Sequence, residues 1–238
     1  MGLLLGGVAN PLGRGVQYVE APFDATLAEL LRWRRGLGKT VRVSKPRAFE
    51  EALVALTPFE APWTRELLAP CGDRWTAYLN NFVNGGDITA SAIVVAMRLG
   101  VRHVVADHSP KDRGMAATQL WLSGPEGEPP LMYIRTVASV CEDGRWAWDA
   151  RGEVQPFERT ERYEARLVRE RFDRPLLVEY LAALGIPADD DDAYGPGVVV
   201  TEVVPWRRRT VPLDEARREL GLEPWPQPQA RRRLPWRR

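Results

Sequence analysis

Residues 74–107 have the sequence RWTAYLNNFVNGGDITASAIVVAMRLGVRHVVAD, in which three hydrophobic patterns follow one another. Polar and apolar side chains alternate over 74–80, which predicts a strand, and the apolar spacing over 88–99 predicts a helix that Gly100 ends. The run 101–107 predicts a second strand. Residues 80–87 are rich in Asn and Gly, which tolerate the backbone conformations of loops. We expect this β–loop–α–β unit to lie at the centre of the fold.

Segments on both sides of this unit extend the pattern. Upstream, we expect strands over 16–21 and 40–43, helices over 25–35 and 44–56, with Ser44 capping the second helix, and a loop or edge segment over 57–70, which contains three prolines. Downstream, we expect strands over 117–123, 132–141, 145–149, 153–157 and 197–204, and a helix over 173–185. Asp143-Gly144 between two alternating runs favours a hairpin. The predicted fold class is α+β, a mostly antiparallel meander sheet with helices packed on one face, plus an irregular C-terminal tail.

Charge divides the chain into a body and a tail. We expect a flexible N-terminus over 1–14, a single α+β domain over 15–204, and a basic Trp/Pro/Arg-rich tail over 205–238. The tail holds ten Arg and four acidic residues, so it carries +6, and the rest carries −5 because the whole chain carries +1. The chain has 30 Arg and only 3 Lys. We attribute this bias to a GC-rich bacterial genome, so abundant Arg is weak evidence for nucleic-acid binding.

The sequence indicates a cytoplasmic protein. It has no apolar run of about 18 residues and no basic region before the apolar start at Met1, so we expect neither a membrane span nor a signal peptide. Its two cysteines, Cys71 and Cys141, are expected to be reduced thiols.

His103 and Asp107 are the candidate catalytic residues. Side chains in a strand repeat every two residues, so both are expected on one face of the strand 101–107. A His and an Asp at the end of a strand can act as a general base and the group that orients it. A buried core histidine is the alternative explanation.

The loop before the predicted central helix is a candidate binding site through Asn80, Asn84 and Asp87. Helix N-termini attract phosphates and carboxylates, although this loop lacks a phosphate-binding motif, and an Asx-rich connection explains it equally. We expect no metal site, because no third ligand stands at a diagnostic spacing, and no cofactor.

The tail is the other candidate binding surface. Trp and Arg are enriched at binding hot spots, and together they can also stack bases and follow a phosphate backbone. We expect the tail to dock on its own acidic body, to self-associate or to contact a partner, with nucleic acid as a further alternative. The anchors would be Trp206, Trp225, Trp236, Arg207 and Arg232.

Several segments resemble a group of uncharacterised proteins from GC-rich bacteria over about residues 40–195. They are PCGDRWTAYLNN (70–81), RLGVR (98–102), GRWAW (144–148) and PFE (156–158). The resemblance implies an α+β fold and no activity. A compact α+β body with a Trp-rich sheet is also loosely similar to immunity proteins of bacterial toxin systems.

Three functions follow from these residues. The first is a non-enzymatic protein-interaction module, immunity-like, that binds a protein partner through its sheet face or its tail. The second is a hydrolase-type enzyme that uses His103 and Asp107. The third is nucleic-acid binding through the Arg/Trp tail.

Overall fold

The computed structural model describes residues 3–83, 91–112, 115–205 and 208–225. The strands in this part of the chain are β1 (Gly15–Val19), β2 (Val41–Val43), β3 (Phe59–Glu60), β4 (Arg65–Cys71), β5 (Trp75–Asn80), β6 (His103–Asp112), β7 (Met115–Glu128), β8 (Tyr133–Glu142), β9 (Arg145–Gly152), β10 (Val198–Glu202) and β11 (Thr210–Val211). Nine of them form one sheet in the order β2-β10-β4-β5-β1-β6-β7-β8-β9, and neighbouring strands pair antiparallel; β3 and β11 pair separately.

The helices are α1 (Phe23–Gly36), α2 (Phe49–Leu56), α3 (Ser91–Leu99), α4 (Val168–Arg171), α5 (Arg174–Ala183) and α6 (Leu213–Glu219). The predicted α+β class with a largely antiparallel sheet is confirmed. The helices, however, lie on both faces of the sheet and not on one. Leu30 of α1 and Val95 of α3 share a buried cluster with Tyr78 of β5. α2 and α5 pack on the opposite face, and alternating strand residues fill both clusters.

The β–loop–α–β unit predicted from residues 74–107 is present as β5, α3 and β6. β1 lies between the two strands and pairs antiparallel with each of them, so β5 and β6 run parallel to each other. α3 therefore crosses over β1 on its way from β5 to β6, and it contacts β1. This crossover places the end of α3 above the start of β6.

The segment predicted as a loop or edge, 57–70, contains β4, which is a central strand. β4 pairs with β10 on one side and with β5 on the other. Its residues Glu66–Ala69 are all buried, so the strand has no alternation of polar and apolar residues that a sequence pattern could detect. Pro70 lies beyond Leu68, the last residue of β4 in register with β10.

Two local predictions were wrong. Ser44 does not cap α2, whose N-cap residue is Ala48; the Ser44 hydroxyl instead accepts a hydrogen bond from Val199 N at 3.0 Å. Residues 153–157 do not form a strand. β9 ends at Gly152, where φ is +87° and an added Cβ would lie 2.1 Å from the Ile134 carbonyl oxygen. Only glycine fits there, and the chain then leaves the sheet.

Both terminal segments pack against the body where they are described. Leu3, Leu4 and Leu12 are buried in the same cluster as α2 and α5, which differs from the flexible N-terminus that we expected. The tail adds β11, which pairs with β3, and the helix α6. Trp225 is 6% exposed in that cluster. The tail thus docks on its own body over residues 208–225.

Candidate functional site

A cavity of about 250 Å³ opens beside the C-terminal end of α3. It lies between α3, the start of β6 and the end of β7. Its wall is mainly apolar, with one imidazole and one hydroxyl, and no charged side chain is among the described residues that line it. These residues are Ile93, Ala96, Met97, Gly100, Val101, His103, Ser123, Gly124, Pro125 and Met132.

The helix side of the cavity follows from the spacing of α3. Ile93, Ala96 and Met97 are three and four residues apart, so they form one stripe along the helix. Gly100 ends the helix with φ of +67°, and Val101 N donates to the Ala96 carbonyl at 3.1 Å. This left-handed C-terminal turn brings the chain down to β6 within three residues. The cavity is the space beneath that turn.

His103 and Ser123 provide the polar part of the wall. They are directly opposite each other in the β6–β7 pair, so both side chains project from one face of the sheet. His103 is 2% exposed, and its Nε2 lies 3.0 Å from Oε1 of Gln17 on β1. Its Nδ1 is buried and has no hydrogen-bond partner among the described residues. A buried polar atom without a partner costs free energy, and here it belongs to a residue that lines the cavity.

The His103 imidazole is neutral near physiological pH. Burial lowers its pKa from 6.5 to about 3, because no charged group compensates for the loss of water around the imidazolium. A base this weak accepts a hydrogen bond but removes a proton poorly from a substrate. The ring is therefore better suited to recognition than to general-base catalysis.

The structure does not bring His103 and Asp107 together. They lie on the same face of β6 as expected, but four residues along a strand span about 13 Å. Asp107 instead accepts hydrogen bonds from Gln119 Nε2 at 3.0 Å and Ser109 Oγ at 3.2 Å. Burial raises its pKa to about 6. Asp107 thus cannot orient the His103 ring, which Gln17 does instead.

The second histidine, His108, belongs to the opposite face of β6. Its Nδ1 lies 3.0 Å from Thr118 Oγ1, and its pKa is lowered to about 4, chiefly by burial. Neither histidine therefore contacts the other.

Two of the three predicted loop residues, Asn84 and Asp87, lie outside the described residues. Asn80 is buried, and its Oδ1 accepts a hydrogen bond from Phe82 N at 3.1 Å, as in an Asx turn. Asn81, which the sequence analysis did not single out, also bonds to backbone groups. Its Oδ1 accepts from Thr64 N and Arg65 N, and its Nδ2 donates to the Pro58 carbonyl. Asn80 and Asn81 thus stabilise the backbone through their side-chain hydrogen bonds.

Of the predicted tail anchors, only Trp225 lies within the described residues; Trp206, Arg207, Arg232 and Trp236 lie outside them. Trp225 is buried beside Arg217, whose guanidinium is 5.6 Å from the ring centroid. Arg217 donates to the carbonyls of Val8, Asn10 and Glu223. Trp225 is therefore an internal anchor that joins the tail to the N-terminal segment, and it is not presented to a partner.

Sequence reasoning missed two buried ion pairs, one on each face of the sheet. Arg34 of α1 binds both carboxylate oxygens of Glu66, at 2.6 and 3.0 Å, and Tyr78 and Ser91 donate to the same carboxylate. Arg135 of β8 binds both oxygens of Glu158. The partners are 32 and 23 residues apart, so no local spacing links them. Every oxygen of both carboxylates has a donor, which favours a structural role.

Neither a metal site nor a disulfide is present in the described part of the chain. No group of three or more His, Cys, Asp or Glu side chains there could hold a metal ion. Cys71 and Cys141 are buried free thiols. Among the helices of the described residues, none has both the length and the apolar composition needed to span a bilayer.

We expect the free energy of unfolding to fall as the pH is lowered from about 7 to about 5. The unfolded chain protonates its histidines near 6.5, whereas the folded protein keeps His103 and His108 neutral down to about 3 and 4. The unfolded state therefore binds more protons in this range. Asp107 acts in the opposite sense, because its pKa is raised from 3.8 to about 6 and the folded state holds that proton more tightly.

Denaturant unfolding over this pH range tests whether the histidines and Asp107 change the free energy of unfolding in opposite directions. His103→Leu should lose less stability on acidification than the parent protein, and Asp107→Asn should lose more. Other carboxylates contribute equally to all three proteins, so the comparison isolates these groups. Parallel pH profiles would contradict the prediction.

No protein-family model matches the chain, and no curated protein or solved structure is significantly similar to it. The resemblance to proteins from GC-rich bacteria and to immunity proteins thus stays a prediction.

Proposed function

We propose that the protein binds a small, uncharged and mainly apolar molecule in the cavity beneath the end of α3. The observation that carries this proposal is the cavity itself, about 250 Å³ in volume, whose mainly apolar wall includes the His103 ring and Ser123. Ligand sites typically combine an apolar lining with a few well-placed polar groups, and here His103 and Ser123 are those groups. The absence of charged lining residues among those described argues against an ionic ligand.

The size of the cavity limits the ligand. An apolar cavity of about 150 Å³ is enough to hold benzene in another protein. A cavity of about 250 Å³ therefore suits a molecule of one or two small rings. Intermediate binding efficiencies of about 0.45–0.75 kcal/mol per non-hydrogen atom give a ligand of about nine such atoms a dissociation constant between about 10 µM and about 1 mM.

The proposal is one of binding and not of catalysis. His103 has a low pKa, and its ring bonds to Gln17 and not to Asp107. This separation argues against the hydrolase alternative, which needs His103 and Asp107 to act as a pair. Nucleic-acid binding through the basic tail, residues 205–238, stays a prediction. A cytoplasmic location in a GC-rich bacterium also stays a prediction.

We expect Ile93→Trp to abolish ligand binding. Ile93 is 8% exposed and lines the cavity, so the larger side chain would fill the space that the ligand needs. The test is calorimetric titration of the full chain with three bicyclic probes, indole, indene and benzofuran. The matched control is Val94→Trp, on the next position of α3 and outside the lining. Saturable binding of any probe that Ile93→Trp removes and Val94→Trp keeps would support the proposal; no binding of any probe by the folded parent protein would refute it.

A second candidate is the protein-interaction function, with the uncovered face of β7–β9 as its surface. This face carries Trp121, which alternates with Leu120 and Leu122 on the side of α5. Trp121 and Tyr133 form an edge-to-face pair in a groove of about 570 Å³, and the Trp121 Nε1 is buried without a partner among the described residues. Four carboxylates and two arginines line this groove, and Glu126 and Asp149 are paired with Arg102 and Arg151. The excess of carboxylates, with Glu128 and Glu153 as the other two, favours a basic partner.

An immunity-like role predicts that the partner is a toxin encoded beside this gene. The neighbouring gene product should bind the immobilised chain, and Trp121→Ala should weaken binding by about 2 kcal/mol or more, or roughly 30-fold. Trp33→Ala, on α1 at the other end of the sheet, is the control and should have little effect. Equal affinities for both variants would exclude this face.

A further inference from the structure

The nine-stranded sheet has two edge strands, β2 and β9. β2 has only three residues, whereas β9 has eight and stays in register with β8 along its whole length without a bulge. β9 also contains neither Pro nor Lys, the residues that most often protect a natural edge strand from pairing. We propose that β9 pairs antiparallel with β9 of a second copy of this chain, which joins the two sheets into one. This proposal is independent of the cavity beneath the end of α3.

The turn before β9 determines which of its backbone groups face the open edge. Asp143 and Gly144 form a two-residue turn with φ of +49° and +78°, as in a type I′ hairpin, so the two flanking residues bond to each other. Backbone bonding alternates along an antiparallel pair, and every second residue from Arg145 therefore bonds to β8. Trp146 and Trp148 lie between these residues and direct their N–H and C=O groups to the open edge. No backbone group of another described segment bonds to them.

The side chains of β9 complement their own reversed order. Arg145, Ala147 and Asp149 alternate along the strand and share one face, with a cation at one end and an anion at the other. If a two-fold axis passes at Ala147, Arg145 of each copy lies opposite Asp149 of the other, and Trp146 lies opposite Trp148 on the second face. Opposite charges and aromatic pairs directly across a strand pair both stabilise it. The same register pairs the backbone groups that face the open edge.

Other registers of the same pair are less favourable. An axis one residue further along places Arg145 opposite Arg151, and an axis two residues along places Asp149 opposite itself, so like charges meet in both. An axis three residues along requires Gly152 in the ladder. Gly152 has a φ of +87°, which is not a strand conformation, and its carbonyl already accepts a hydrogen bond from Arg135. Charge and backbone geometry therefore select the axis at Ala147.

Sedimentation of the full chain over a range of concentrations tests the proposal. We expect the parent protein to form dimers, and Arg145→Glu or Asp149→Arg to weaken the dimer at least about tenfold, because like charges then lie opposite each other twice. An equimolar mixture of these two variants should form a heterodimer within about threefold of the parent affinity, because each pair then regains opposite charges. Arg42→Glu reverses an exposed charge on the other edge strand, β2, and is the matched control that should dimerise like the parent.

A disulfide cross-link reports the register directly. Residues opposite each other in a non-hydrogen-bonded pair have Cα atoms about 4.5 Å apart, within the range that a disulfide spans. Ala147→Cys should therefore link two copies under mild oxidation, and Arg151→Cys should not, because this register places the two copies of residue 151 far apart. The native thiols, Cys71 and Cys141, are buried and should not interfere.

Three results would overturn the proposal. The first is a parent chain that stays monomeric up to about 1 mM, a concentration at which even a weak specific contact forms. The second is a dimer that Arg145→Glu leaves intact, which would place the contact on another surface. The third is a mixture of Arg145→Glu and Asp149→Arg that fails to associate, or a cross-link at residue 151 and not at 147, since either excludes the axis at Ala147.

Discussion

Glu66→Ala is expected to lower the free energy of unfolding by about 3–5 kcal/mol, a large part of the roughly 5–15 kcal/mol that is typical of a folded domain. Glu66 is buried in β4 and holds the Arg34 guanidinium through two hydrogen bonds. Removal of the carboxylate would leave a buried cation whose remaining carboxylate neighbour, Glu202, is 3.8 Å away. It would also leave the hydroxyls of Tyr78 and Ser91 without their acceptor.

Urea unfolding followed by circular dichroism measures this effect, and two variants provide controls. Glu126→Ala breaks an exposed ion pair with Arg102 and should cost less than about 1 kcal/mol. Arg34→Met with Glu66→Leu removes both charges and should restore much of the lost stability, because the penalty comes mainly from the unpaired charge. A loss below about 1 kcal/mol for Glu66→Ala would show that Arg34 finds another partner.

Trp225→Ala should be the second most damaging change, with a loss of about 3–5 kcal/mol. Trp225 is 6% exposed although it lies near the end of the described tail, and it packs beside Arg217 in the cluster that also holds Leu3, Leu4 and Leu12. Truncation would open a cavity between the tail and the N-terminal segment. The three backbone carbonyls that Arg217 binds would then become exposed to water together with the arginine.

Thermal unfolding and limited proteolysis test the role of Trp225. The variant should melt at a lower temperature and should be cut within residues 208–225 faster than the parent protein. Trp146→Ala, a half-buried residue of β9, is the control and should affect cleavage in the tail little. If Trp225→Ala left both the melting temperature and the cleavage rate unchanged, the docked tail would contribute nothing to stability.

Part of the candidate site could be predicted from the sequence. The strand that carries His103, the crossing helix and Gly100 at its end all follow from local patterns, and His103 was singled out as one of two histidines. Its partner was wrongly chosen. The sequence offers Asp107 on the same strand, whereas the hydrogen-bond partner of the His103 ring is Gln17 Oε1, 86 residues away. A strand extends about 3.3 Å per residue, so close neighbours of a strand residue lie mostly on adjacent strands.

The structure changes how the predicted division between an acidic body and a basic tail is interpreted. The charge split predicted docking, and residues 208–225 do dock, with Arg208 against Glu60 and Arg217 against backbone carbonyls. The tryptophan that looked like an anchor for a partner serves as an anchor within the chain. The same chemical property, a large apolar ring with a nearby cation, suits both uses, so composition could not distinguish them.

The sequence by itself determined the class of the fold, most of the elements and their order, because alternation, helical spacing and turn residues are local properties that act over a few neighbours. It could not reveal β4, whose residues are buried on both faces, nor the placement of the helices on two faces. The tertiary structure decided those features, together with the pairing of Arg34 with Glu66 and of His103 with Gln17. Each of them depends on which strands become neighbours, and that is set by the packing of the whole chain and not by any segment of it.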